Sequence, residues 1–138
     1  MPAARRIVVH DLAHALAAAR AAQEVGVPAV LMSPAGAAGY LGAPYFREIV
    51  AAARAAYPGA GITAVLDCGD AAGLALAALR DGAEVIRVAV TDEVRRRLTD
   101  IAGQSGARLD DDTVFDSLDL LDQSDAPAAC RRWLTHRP

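Results

Sequence analysis

The sequence predicts an α/β fold of four to five parallel strands joined by crossover helices. Short apolar runs rich in β-branched residues alternate with stretches of helical period, which is the pattern of a parallel sheet. Capping residues and glycine stops fall between them, and 138 residues are enough for one domain but too few for a closed eight-unit barrel. Two arrangements fit: a partial (half) TIM-type barrel with strands in sequential order, or a flavodoxin-like doubly wound sheet covered on both faces.

The first strand runs from Arg5 to His10 (RRIVVH), with Ile7, Val8 and Val9 buried. Asp11 is the N-cap of a helix from Leu12 to about Val25, whose inward face is Leu12, Leu16 and Ala19, and Gly26 stops it. Pro28 opens a second strand, Ala29 to Met32, followed by Ser33 and a loop spaced by Gly36, Gly39 and Gly42. Strand, Gly-rich loop and helix in that order can hold an anion. Phe46, Ile49, Val50, Ala53 and Tyr57 then recur at helical steps, with Arg47, Glu48 and Arg54 off the stripe. Pro58-Gly59-Ala60-Gly61 ends this helix; its glycines precede a strand, so they form a turn and no dinucleotide fingerprint.

The chain is organised around Ile62 to Asp70, where a buried strand, Ile62 to Leu66, delivers Asp67 and Cys68 to its carboxyl end. Asp70 caps a short helix through Leu74 and Leu79 to Arg80, which ends at Gly82. Glu84 to Val90 is a fourth strand. Thr91 caps a fourth helix with Asp92 and Glu93 in its first turn, Val94, Leu98 and Ile101 inward, and Arg95, Arg96 and Arg97 solvated. Mid-strand Arg87 needs an acidic partner. Ala107 to Asp110 is a short fifth strand, after which the chain is acidic until a terminal helix, Ala126 to Leu134, presents Cys130 and Trp133. The organisation is therefore an α/β partial-barrel domain over residues 1–106 and an acidic C-terminal extension over 107–138, packed on the same domain.

Composition removes several function classes. All 14 cationic residues are Arg, and without Lys there is no Schiff-base or PLP chemistry and no Walker A loop. The arginines are spread along the chain and the net charge is -3, so nucleic acid is not a partner. Two distant cysteines, no hydrophobic leader and no apolar run near the roughly 20 residues of a membrane span point to a cytoplasmic protein with free thiols.

From Ser33 to Val90 the chain resembles the first half of the class II, metal-dependent fructose-bisphosphate and tagatose-bisphosphate aldolases. The resemblance rests on VLMSPAG, the run GAAGYLGAPYFREIVAAA, AVLDCGD, and a helix closing as ALRDGAEVIRV. It implies the half barrel, with Asp67 in the position of the proton-transferring acid, Cys68 where that family has a metal-binding His, and Ser33 near the substrate. The family's fourth strand runs into Asp-Gly-Ser where this chain has Ala89-Val90-Thr91, and its second half has no counterpart here.

The candidate site is accordingly Asp67 as catalytic carboxylate; Ser33, Gly36, Gly39 and Asp70 around a small phosphorylated or carboxylated ligand; and Cys68 with His10 holding a divalent metal such as zinc. His14, four residues after His10, is a further candidate ligand. A catalytic zinc needs about three such ligands. The missing motifs favour a truncated, non-catalytic or small-anion and sugar-phosphate binding relative; the competing reading is a metal-dependent lyase or isomerase whose site an oligomer completes. A half barrel leaves the inner face of its sheet bare, so a homodimer or higher oligomer, or the tail, is expected to cover it.

Overall fold

A computed structural model describes residues 4–136. Its core is one sheet of six parallel strands in the order β5-β4-β3-β2-β1-β6. The strands are β1 (Arg5–Val8), β2 (Ala29–Met32), β3 (Ile62–Asp67), β4 (Val85–Arg87), β5 (Arg108–Leu109) and β6 (Ser117–Asp119). Five helices alternate with them: α1 (Leu12–Val25), α2 (Ala43–Ala56), α3 (Ala72–Arg80), α4 (Asp92–Gln104) and α5 (Ala126–Thr135). The first five strands are sequential neighbours. β6 was not foreseen; it joins β1 on the far side, pairing Ile7 with Leu118 and Val8 with Asp119.

Residues alternate faces along a strand, and here the two faces differ. Ile7, Val9, Leu31, Ala64, Leu66, Cys68, Ile86, Val88 and Leu109 join the buried residues of all five helices in one core. The intervening positions Val8, Val30, Met32, Val65 and Val85 form a second, smaller cluster with Phe115 and no helical residue. All helices therefore lie on one face, as in part of a barrel wall, and the doubly wound alternative is excluded.

The inner face is covered from within the chain. The segment from Asp110 to Asp116, linking β5 to β6, crosses it as a strap and seats Phe115 beneath the guanidinium groups of Arg6 and Arg87, at 4.1 and 4.8 Å. Arg6 forks onto Asp110 at 2.7 and 2.9 Å, although β1 and β5 stand four strand spacings apart, ~19 Å along a sheet. An Arg and an Asp side chain cannot bridge that path, so the sheet must curve and the inner face is concave. Asp110 is itself fixed to β4 through its amide, which donates to the Ile86 carbonyl at 2.8 Å.

Several local expectations change. Leu12 is 42% exposed, and α1 buries alanines instead, Ala15, Ala18, Ala19 and Ala22 among them; such small side chains let the helix approach the sheet closely. Ile101 likewise lies outward while Leu98 and Ala102 fill the contact. Asp70 does not cap α3, whose N-cap is Ala71 without a side-chain bond. Asp11 and Thr91 do cap α1 and α4, accepting from the His14 and Val94 amides.

Candidate functional site

The strand period places most polar side chains of the sheet on its concave side, while Arg5 lies on the helix side over Trp133. Arg6, Asp67, Arg87, Asp110 and Asp119 alternate with helix-facing Ile7, Leu66, Ile86, Leu109 and Leu118, and His10 follows Val8 by two residues. The carboxyl ends of the strands, where chemistry sits in such sheets, thus form a polar mouth.

Asp67 closes β3 there. Its Oδ1 accepts from the Gly36 amide at 2.9 Å and the Gly69 amide at 2.8 Å, tying the loop after β2 to the turn after β3. Both glycines have positive φ, 68° and 62°, and a Cβ on Gly69 would stand 3.7 Å from the Gly36 Cα. The left-handed conformation is what favours glycine at both positions, the 3.7 Å separation being an ordinary contact. The Asp67 amide donates to Ser33 Oγ at 2.8 Å, and Ser33 Oγ donates to the Pro34 carbonyl at 3.2 Å. Oδ2 of Asp67 faces Arg87 Nε at 3.9 Å. Asp67, Ser33 and Gly36 are therefore brought together; Gly39 belongs to a 3₁₀ turn, Ala37–Gly39, that leans against Leu74 of α3, and Asp70 is exposed in the next turn.

Arg87 meets the acidic partner its position demands. It donates to Asp110 Oδ2 at 3.1 Å and to the Asp112 carbonyl. Asp110 so serves two cations, buried Arg6 and half-buried Arg87. Burial alone would raise its pKa, but hydrogen bonds from Arg6, the Asp112 amide and Arg87, with the Arg6 charge, outweigh that and lower it; the same contact with Asp110 raises that of Arg6 against its own burial.

Cys68 is on the other face. Its side chain joins the helix-side core at 1% exposure, and burial, followed by the charge of Asp67, pushes the thiol up to about 11. Consecutive strand residues point apart, so Asp67 and Cys68 cannot both reach one ion. His10 lies at the mouth, its Nε2 2.7 Å from Asp119 Oδ1. His14 Nδ1 accepts from the His10 amide at 3.0 Å, which leaves the proton of a neutral His14 on Nε2 and no lone pair there for a metal. No cluster of three His, Cys, Asp or Glu residues able to hold a metal ion occurs among the described residues. The predicted metal ligands do not fit a catalytic ion.

A solved structure from Coccidioides immitis, described as a candidate fructose-1,6-bisphosphate aldolase, matches this chain with a TM-score of 0.64 and 25% identity. The fold is aldolase-like. The match covers 78% of this chain and 40% of that one, so this chain corresponds to less than half of its neighbour. No family model and no curated protein matches the chain. No described helix is long and apolar enough to cross a membrane.

The sequence pointed to Asp67, Ser33 and Gly36, which the fold brings together, but not to Asp110 or Asp119. Both stood in an acidic stretch whose pattern resembles a solvated tail. The usable signal was Arg6, a charge inside an apolar strand that required a buried counter-ion.

Proposed function

We propose that the chain is a half-barrel relative of the class II aldolases that binds a small phosphorylated or carboxylated molecule without cleaving it. The observation that carries this reading is the state of Asp67. The carboxylate matching the family's proton-transferring acid holds two backbone amides with Oδ1, and the neighbouring residue that should bind the metal faces the core. Without a Lewis acid beside it, a carboxylate so held has no means of stabilising the enolate that aldol cleavage creates.

Support for binding comes from α2. Asp11, Thr91 and Asp125 cap α1, α4 and α5, whereas Gly42 gives α2 no side-chain cap and its first turn has no acidic residue. The Ala43 and Tyr45 amides have no acceptor among the described residues, and the exposed Tyr40 and Tyr45 rings lie on the same segment. An anion there meets N–H donors and the positive end of the helix dipole. Arg87 is committed to Asp110, so the amides alone carry recognition and binding is weak. Because the strap covers the inner face, the site is read as belonging to a single chain.

Metal analysis of purified protein, cleavage of a ketose bisphosphate and an NMR titration with inorganic phosphate test this reading. Substoichiometric metal, no cleavage and shifts at the Ala43 and Tyr45 amides are expected. Stoichiometric zinc with cleavage abolished by Asp67→Asn would overturn it in favour of a working lyase.

A further inference from the structure

At the other side of the mouth, the ends of β1 and β6 bring His10, His14 and Asp119 together in an arrangement that α2 does not share. Asp119 Oδ1 accepts from the Leu121 amide at 2.9 Å, which fixes the carboxylate, and meets His10 Nε2 at 2.7 Å. A carboxylate on one imidazole nitrogen holds the proton there and leaves the other nitrogen basic. Neutral His10 therefore carries its proton on Nε2 and a lone pair on Nδ1.

His14 is held the opposite way. Its Nδ1 accepts the His10 amide, so Nε2 carries the proton. The two rings stand edge to face with centroids 5.6 Å apart, and their side chains are 21% and 16% exposed. Neither His10 Nδ1 nor His14 Nε2 bonds another described residue, and neither is an enclosed polar atom. One acceptor and one donor are thus left without a protein partner on two neighbouring rings, each ring fixed by a separate backbone-anchored contact.

A hydroxyl group is the small-molecule counterpart of such a pair, since it donates through its hydrogen and accepts through its oxygen. We propose that His10 and His14 form a binding site for a neutral, hydroxyl-bearing molecule of the polyol class, with Asp119 as the positioning residue. The ligand hydroxyl donates to His10 Nδ1 and accepts from His14 Nε2–H. Protonating His10 turns Nδ1 into a donor and removes the match. The charged groups facing the pair are Asp119 from β6 and Asp11 from the turn before α1, whose Oδ1 lies 3.9 Å from His14 Nδ1.

The test is an NMR titration of the full chain with sorbitol, an uncharged probe that does not engage the anion site of α2. Long-range ¹⁵N spectra near pH 8 should show both neutral rings protonated at Nε2, and sorbitol should move both sets of ring signals. His10→Gln should weaken binding by about fivefold, the loss of one net hydrogen bond. Asp119→Asn should do the same while shifting the His10 tautomer ratio, which a merely structural contact would not require. A His14 proton on Nδ1, or ring signals that sorbitol leaves unmoved, would overturn the proposal while leaving any phosphate shifts at Ala43 and Tyr45 intact.

Discussion

Asp110→Asn tests the concave face as the organiser of the fold. The substitution keeps size and one acceptor oxygen but removes the charge that serves both Arg6 and Arg87. The side chains of Arg6 and Asp110 are 8% and 3% exposed, so the cation left behind is buried. Breaking such a pair from one side costs about 3–5 kcal/mol. Arg6 retains Asp112 at 2.6 Å, and because that carboxylate is 57% exposed it offsets only part of the loss. We therefore expect about 3 kcal/mol, or roughly a 10 °C fall in Tm for a chain of this length. Urea denaturation followed by circular dichroism measures it. The double variant Arg6→Met/Asp110→Leu, which removes both charges, should recover most of the loss, to within about 1 kcal/mol of the parent. The pH dependence has a defined sign. The folded carboxyl of Asp110 titrates below its unfolded value, so its contribution is complete above about pH 4 and is lost as the pH falls through the folded pKa. Asp110→Asn should flatten that part of the acid limb. A variant within about 0.5 kcal/mol of the parent, with an unchanged acid limb, would refute the reasoning, since that is what a surface substitution gives.

Other perturbations separate the remaining roles. Asp67→Asn keeps an oxygen for the Gly36 and Gly69 amides and should cost under about 1 kcal/mol, while Asp67→Ala leaves both unmet and should cost about 2 kcal/mol, with faster amide exchange at those two glycines. The thiols of Cys68 and Cys130 are both pushed up to about 11 by burial, so neither should react with a disulfide reagent near pH 8 until denaturant is added. Phe115→Ala removes the ring between two guanidinium groups and should cost about 2 kcal/mol, seen as lowered stability and as faster hydrogen exchange along the strap.

The sequence made the first five strands legible, because their apolar runs are bounded by caps and glycines, but it left their order open between the sequential and the doubly wound arrangement. Asp11, Gly26 and Thr91 act as read. It failed where tertiary context overrides local pattern. Three residues of β6, Ser-Leu-Asp, look like nothing in particular, and they become a strand only because β1 has a free edge. Leu12 and Ile101 fit an apolar stripe yet sit at its margins, since alanines bring α1 closer to the sheet than a leucine would allow. At the site, adjacency in sequence was mistaken for adjacency in space: Asp67 and Cys68 are neighbours along a strand and opposites across it.

The same period explains how the concave face of a partial barrel is filled from within the chain. A closed barrel fills its interior with apolar layers from all its strands. With six strands there are too few side chains to do so, and four neighbouring valines and a methionine would stay wet. The strap supplies the missing volume with Phe115 and the missing charge with Asp110 and Asp112, against arginines from β1 and β4. An apolar strap would cover the face equally well but without a defined register, whereas one carboxylate that must satisfy two fixed guanidinium groups admits a single seating. The charged interior thereby closes off the centre of the concave face, with Asp67 at one end of it and His10 with Asp119 at the other.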